Sequence, residues 1–225
     1  MPRLDVWLVE TGQFSSRQAA KRAIKEGLVL VNERSCKPST QVSEKDKIEL
    51  LSYEVDVPQG YLKLEKIDNL LKNKLVSNPC TALDIGSSAG GFLIYLAEKG
   101  ASAIGIEVSK RFSDELKSII EKYPRISVLF ADAFDIDPKI ITDNEQLELL
   151  LVDVTTEPEG TLKLIKKFTF LLKKEGRLIA AFKLKPSSEE ISIIMDEIVR
   201  IGYNQVTKII LDETRQEVHI TAVHT

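Results

Sequence analysis

The sequence predicts an α/β protein in two parts: a doubly wound, mostly parallel sheet preceded by a small α+β module. Three observations predict it. The 225 residues are too many for one minimal domain and too few for three. From residue 63 onward, short apolar runs alternate with amphipathic helical runs, the pattern of parallel strands joined by crossover helices. Between the two parts, Val55-Asp56-Val57-Pro58-Gln59-Gly60 contains Pro and Gly and shows no helical period. A small domain over 1–54, a linker over 55–62 and a large domain over 63–225 follow.

In the first part, Leu4, Trp7 and Leu8 share one helical face, and Gly12 ends that helix. Ser15-Ser16 offers an N-cap for a second helix from Arg17 to Lys25, with Ala19, Ala20, Ala23 and Ile24 as its apolar stripe and Gly27 as its stop. Trp7 and Phe14 read as core. Residues 28–31 form a β-run, Asn32-Glu33 a turn, and Val42 to Leu51 a further strand. In the second part, helices are expected over 63–75, 91–99, 110–122, 160–173 and 187–201. Seven strands are expected over 81–86, 102–108, 127–131, 147–154, 177–183, 205–211 and 217–223. The last two strands have no room for a helix between them, which predicts one antiparallel strand in the sheet.

Composition narrows the function classes. Hydrophobic residues make up 43% and charged residues 29%, enough apolar material for a core and too much for a disordered chain. The net charge of −3 excludes a wholly basic nucleic-acid coat, so nucleic-acid contact must come from local clustering. Cys36 and Cys80 are far apart, with no ligand spacing around them, and both His lie near the C-terminus. No metal site is expected, and two unpatterned thiols suit a reducing cytosol. No apolar run approaches the roughly 18–20 residues of a bilayer span, and the start of the chain lacks an apolar signal core. A cytoplasmic protein without a membrane partner is expected.

The chemistry-bearing residues lie at strand ends. Asp84-Ile85-Gly86-Ser87-Ser88-Ala89-Gly90-Gly91-Phe92 follows a strand and opens a helix. Gly86 suits a tight turn, and Gly90 and Gly91 would let a ligand approach the backbone at a helix N-terminus. Ser88 stands where a dinucleotide fingerprint needs Gly, which disfavours nicotinamide and flavin cofactors. S-adenosylmethionine has no pyrophosphate to cradle, and its cationic end suits Asp84. Glu107 ends the next strand, placed to grip ribose hydroxyls. Asp132 ends the third, where it can accept from an adenine amino group, and Asp153 ends the fourth. One such acid is an ordinary solvated strand end; four at successive carboxyl ends converge on the crevice where these sheets bind ligands.

Those residues resemble the FtsJ-like S-adenosylmethionine-dependent RNA methyltransferases. The resemblance implies a Rossmann-like methyltransferase domain in which a Lys-Asp-Lys-Glu tetrad carries ribose 2′-O-methylation. Lys63 in Gly60-Tyr61-Leu62-Lys63-Leu64 resembles the first lysine, Asp153 the aspartate, Lys183 the second lysine and Glu217 the glutamate, with Lys185 as a rival for the second lysine. The stretch from Arg3-Leu4-Asp5 through Ser16-Arg17-Gln18-Ala19-Ala20-Lys21 to Gly27–Asn32 resembles the small RNA-binding module of ribosomal small-subunit protein four. Together the two parts resemble the TlyA (haemolysin A) family of rRNA ribose 2′-O-methyltransferases. The sequence departs from that family at Leu62, where His is usual, at Val154-Thr155-Thr156, and at Lys183-Leu184-Lys185-Pro186.

In such a tetrad, a lysine whose pKa is lowered by burial or by a cationic neighbour would act as base toward the 2′-hydroxyl. Lys183, beside Lys63, is expected in that role, with Asp153 and Glu217 orienting the amines. Residues 1–40 carry seven Lys/Arg against four acids. Arg17, Lys21 and Lys25 fall on one helical face, and with Arg3 and Arg22 they form a candidate stripe for structured RNA, by the family resemblance rRNA in a ribosomal subunit. A solvated helix face is the bland reading of the same stripe. Two rival functions stand beside this one: a non-catalytic RNA-binding protein with a vestigial methyltransferase fold, and a small-molecule methyltransferase. Membrane damage is opposed by the lack of an apolar amphipathic helix.

Overall fold

The computed structural model describes residues 1–14, 17–51, 57–76 and 79–225. The Ser15-Ser16 cap and the Val55-Asp56 start of the linker lie outside them. The chain divides into two units, Met1–Gln59 and Gly60–Thr225.

In the first unit, α1 (Leu4–Glu10) and α2 (Arg17–Lys25) pack over a three-stranded antiparallel sheet of β1 (Val29–Val31), β2 (Arg34–Ser35) and β3 (Ile48–Leu50), in the order β2-β1-β3. Leu4, Leu8, Phe14, Ala20, Ile24, Val29 and Val42 form its core, with Trp7 half-buried against it. Gly12 and Gly27 take positive φ where α1 and α2 end. The strand expected over 42–51 is only three residues long. Ahead of it, Asp46 accepts hydrogen bonds from the Ser43 backbone N–H and hydroxyl, which fold residues 43–46 into a turn.

The second unit runs α3 (Gln59–Leu70), β4 (Thr81–Ile85), α4 (Gly91–Glu98), β5 (Ser102–Glu107), α5 (Ser113–Lys122), β6 (Ile126–Phe130), β7 (Leu147–Val152), α6 (Pro158–Phe168), β8 (Leu172–Phe182), α7 (Glu190–Ile201), β9 (Tyr203–Ile209) and β10 (Val218–His224). Its seven strands are ordered β6-β5-β4-β7-β8-β10-β9. All neighbours pair in parallel except β10, which is antiparallel to both β8 and β9. The reversed strand expected from the short last connection is therefore present, inserted between β8 and β9. Alternate residues feed opposite faces, as the two-residue strand period requires. Leu83, Ile85, Leu150, Val152 and Ala180 pack with α6 and α7. Ala82, Leu149, Leu151 and Ile179 pack with α3, α4 and α5.

Several elements differ from expectation in their bounds, the helix expected over 160–173 ending at Phe168 among them, and two show the local reason. The helix predicted over 63–75 starts at Gln59 and ends at Leu70. Pro58 stands just before its first turn, where a missing N–H costs nothing. Lys72 and Asn73 take left-handed φ of 59° and 56° and stop it. The strand predicted over 177–183 begins already at Leu172. Lys173-Lys174-Glu175-Gly176 looks like a helix end, but Glu175 takes φ +64°. The register against β7 shifts between Leu147 and Leu149, so the stretch is a bulge in a strand rather than a turn.

The first turn of α3 lies against the start of α4. A Cβ added to Gly91 would come within 2.5 Å of the Tyr61 backbone nitrogen and 2.8 Å of the Gly60 Cα. The two backbones touch because neither glycine has a side chain, and this contact fixes the helix that carries Lys63. Gly91→Ala is expected to cost about 1–3 kcal/mol in urea unfolding. Gly60→Ala, whose added carbon would come no nearer than 3.3 Å to Phe92, should cost less.

Candidate active site

The chain runs outward from β4 through β5 to β6, then returns to place β7 on the other side of β4. That switch opens a crevice at the carboxyl ends of β4 and β7. Asp84 lies at the end of β4, Glu107 ends β5, Asp132 follows β6 and Asp153 follows β7. Because β10 is reversed, its start lies at this same edge, which delivers Glu217 beside Lys183 at the end of β8. The four sequence-predicted tetrad residues come from α3, β7, β8 and β10, and they meet.

Lys63 Nζ donates to Asp153 Oδ2 at 2.6 Å and to Glu217 Oε1 at 2.9 Å. Lys183 Nζ donates to Asp153 Oδ1 at 2.6 Å and also to Glu217 Oε1. Each acid thus bridges both amines, and the group is neutral overall. It is Lys183 rather than Lys185 that makes these bonds. Burial alone would raise both carboxyls, but the adjacent Lys63 and Lys183 ammonium groups outweigh it and hold Asp153 and Glu217 below the usual carboxylate range. Here the structure corrects the sequence reading of Lys183. Burial pushes the amine down, as expected, but Asp153 and Glu217 pull harder, and its pKa lies above the ordinary lysine value. The sequence shows a lysine ending a buried strand; it does not show two acids arriving from other elements.

Asp84 is the opposite case. Its carboxylate is fully buried, and neither oxygen has a hydrogen-bond partner. The adjacent Ser87 hydroxyl donates to the Asp84 backbone carbonyl, at 3.1 Å. Burial, opposed in part by the nearby Ser87 hydroxyl and reinforced by the negative charges of Asp153 and Glu107, raises the Asp84 carboxyl to about 7. A buried carboxylate with both oxygens unpaired is costly. A cationic ligand group in the crevice would satisfy it, so this residue fits the amino and sulfonium end of S-adenosylmethionine. Glu107 is fixed in place, with Oε2 accepting from the Ser88 N–H and Oε1 from the Ser109 N–H, both at 2.7 Å. Each oxygen keeps lone pairs for a ribose hydroxyl. Asp132 is exposed and caps a turn through the Phe134 N–H.

Gly86 takes φ +91°, as a tight turn requires, and the loop glycines also answer to packing within the protein. A Cβ on Gly86 would meet the Asp153 carbonyl oxygen at 2.4 Å, and one on Gly90 would meet Ile119 Cδ1 at 2.1 Å. In the direction a side chain would take, the space beside Gly86, Gly90 and Gly91 is filled by the protein's own β7 exit, α5 and α3. Ser88, where a dinucleotide fold has Gly, takes φ +49°. Ser87 and Phe92 are buried.

In the first unit, the candidate basic stripe is organised around Asp5, which the sequence offers as part of the module's pattern but without its partners. Asp5 is fully buried on the core face of α1. Arg3 Nε reaches it at 2.9 Å, Arg17 Nη2 at 3.1 Å and Lys21 Nζ at 3.6 Å. Burial would raise the Asp5 carboxyl, but Arg3 and Arg17 hold it below its ordinary value. Arg22 donates to the Val57 carbonyl. Lys25 lies on the exposed side of α2. The available signal was position: Asp5 is flanked in the helix by Leu4 and Leu8, which point inward.

A seven-stranded sheet with one reversed strand, acids along the carboxyl edge and a glycine loop after β4 define the fold of the S-adenosylmethionine-dependent methyltransferases. The sequence matches the S4 domain over residues 2–48 and the FtsJ-like methyltransferase family over residues 57–210. The second match covers more than half of the chain, which belongs to that family. A candidate rRNA methyltransferase of Bacillus subtilis (strain 168), YqxC, is 42% identical over 105 residues, 44% of this chain and 35% of that protein. The chain therefore spans only about a third of that relative. Among solved structures, a candidate haemolysin from Streptococcus thermophilus superposes with a TM-score of 0.61 at 21% identity, covering 100% of this chain and 88% of that one. Aeropyrum pernix fibrillarin, in complex with natively bound S-adenosylmethionine, gives 0.59 at 20% identity over 71% of this chain and 74% of that one. Both are likenesses of fold. Among the described residues, no helix is long and apolar enough to cross a membrane.

The sign of the Asp84 effect is testable. Its folded pKa lies above the unfolded carboxylate value, so the stability it contributes is present at acid pH and lost as pH rises towards about 7. Asp84→Asn should remove that decline and raise the melting temperature of the ligand-free protein at pH 8, while abolishing S-adenosylmethionine binding. In the wild type, affinity should weaken about ten-fold per pH unit below 7, read by calorimetry.

Proposed function

We propose that this chain transfers the methyl group of S-adenosylmethionine to a ribose 2′-hydroxyl of rRNA. The observation that carries the reading is the fourfold pairing of Lys63, Asp153, Lys183 and Glu217 beside the Asp84 crevice. Asp84 would face the cationic end of the cofactor, Glu107 its ribose and Asp132 its adenine. The bound cofactor supplies an electrophilic methyl group. The small unit, an S4 domain whose Arg3, Arg17 and Lys21 are oriented by Asp5, would hold structured RNA through its phosphates, with Arg22 and Lys25 extending the stripe.

A 2′-hydroxyl attacks poorly until its proton is drawn off and the developing oxyanion is stabilised. The resting tetrad holds Lys183 as an ammonium group, a donor suited to stabilising an oxyanion. It becomes a base only as its pKa falls. An entering cation and the exclusion of water by bound RNA both act in that direction. Lys63 keeps the two acids paired when Lys183 turns to the hydroxyl, so no buried carboxylate is left uncompensated. A tetrad lysine pointing away from the pocket would favour a vestigial, RNA-binding role; the engagement of both lysines with Asp153 and Glu217 supports the catalytic one.

The test is methyl transfer from labelled S-adenosylmethionine to ribosomal subunits that lack the modification, followed by mapping of 2′-O-methyl nucleotides. Lys183→Ala should lower kcat at least ~100-fold and leave cofactor affinity near wild type. Because the resting amine is held charged, wild-type kcat should climb through the alkaline range. Full activity in Lys183→Ala, or label recovered on a base, would sink the reading.

A further inference from the structure

The tetrad accounts for one oxygen of Glu217. Both lysines bond to Oε1. The other oxygen, Oε2, faces the Nε2 of His219 at 3.8 Å. Glu217, His219 and Thr221 alternate along the chain, while Ile220 and Ala222 enter the core beside α6 and α7. The three polar residues therefore share the opposite face of the strand. His219 is 1% exposed, paired across to Ala181 on β8 and Ile209 on β9. Neither of its ring nitrogens has a hydrogen-bond partner, and the buried Thr221 hydroxyl has none either.

An unpartnered imidazole in a sheet interior is destabilising relative to an apolar residue of the same size. A position between Ala181 and Ile209, two strands deep in a sheet, would ordinarily hold such a residue. The imidazole stands directly behind the acid on which two lysines converge, and nothing else in the mechanism uses it. We propose that His219 is a positioning residue for Glu217: its Nε2–H closes on Oε2 when Lys183 leaves Oε1 to engage the ribose hydroxyl. The acid then exchanges one donor for another and stays ionised and oriented on Lys63. No bond breaks in this step and no proton changes owner.

The charge state suits the task. The charged and titratable groups around the ring are Lys63 on α3, Asp153 after β7, Lys183 at the end of β8 and Glu217 ahead of β10. Burial, with Lys63 adding to it, lowers the His219 imidazole to about 4, so the ring is neutral at physiological pH. A neutral donor supports the carboxylate without adding a third cation beside two lysines, which would hold Lys183 away from its Oε1 partner. A permanently charged residue at 219 would do that.

This inference rests on the methyl-transfer reading, and the experiment separates the two. Label transfer from S-adenosylmethionine to unmodified ribosomal subunits is measured for wild type, Lys183→Ala, His219→Leu and His219→Gln. His219→Leu should lower kcat about ten-fold, the value of a hydrogen bond to a charged group. RNA KM and S-adenosylmethionine affinity should stay within about two-fold of wild type. The same variant should melt at a higher temperature, because an unpartnered polar group leaves the interior. His219→Gln, with a neutral N–H donor, should recover most of the rate. The acid limb of the pH–kcat profile should move upward in His219→Leu, since Glu217 then ionises with less support. Wild-type kcat in His219→Leu, with Lys183→Ala inactive, overturns the role of His219 alone. An equal loss in His219→Gln and His219→Leu overturns it too, leaving the ring a packing element. Inactivity of the wild type on every subunit would refute the parent reading instead.

Discussion

Two lysines and two acids meet at one edge of the sheet, and much of the second unit's architecture is what that meeting requires. A partly buried ammonium or carboxylate group is tolerated only when paired, and here each charge has two opposite partners. Three of the four come from strand ends, and the reversal of β10 is what puts the beginning of that strand beside the ends of β7 and β8. The fourth, Lys63, rides on α3, whose approach depends on the bare backbones of Gly60 and Gly91. The glycine loop therefore reaches the tetrad by two routes: through Gly91 to Lys63, and through Gly86, which packs on the Asp153 carbonyl.

Asp84 and the tetrad show two treatments of buried charge within one crevice. The tetrad is satisfied internally and neutral. Asp84 is enclosed and unpaired, with a carboxyl raised to about 7 by burial and by its acidic neighbours. A group left in that state lowers the stability of the free protein and strengthens the binding of a cation, a trade familiar from functional sites. His219 belongs to the same economy: a polar group without a partner, two residues beyond the last acid of a set whose partners are complete.

In the first unit the physics is similar and its consequence differs. Asp5 is buried on the inner face of α1, and three cations from α1's approach and α2 gather over it. Their side chains stay about half exposed. An internal acid thereby fixes the directions of Arg3, Arg17 and Lys21 without hiding them, and fixed donors lose less entropy on meeting a phosphate than free ones.

The alternation of apolar runs and helices determined the doubly wound sheet, because strand and helix periods are local properties of the chain. The short last connection determined that one strand runs backwards. Asp84, Glu107, Asp132 and Asp153 were legible as strand-end acids for the same reason, and Lys63, Lys183 and Glu217 through their family pattern. What the sequence left open depended on contacts distant along the chain. The raised pKa of Lys183 needs Asp153 and Glu217, 30 and 34 residues away. Part of the demand for glycine at 86, 90 and 91 comes from Asp153, Ile119 and Tyr61, which a linear reading does not bring beside the loop. The early start of α3 and the bulge at Glu175 follow from backbone fit against neighbouring elements. Asp5 and His219 look like ordinary surface or core residues in a linear reading. Burial and pairing are properties of the assembled structure, so only the tertiary fold decided which charges are silent and which are held ready.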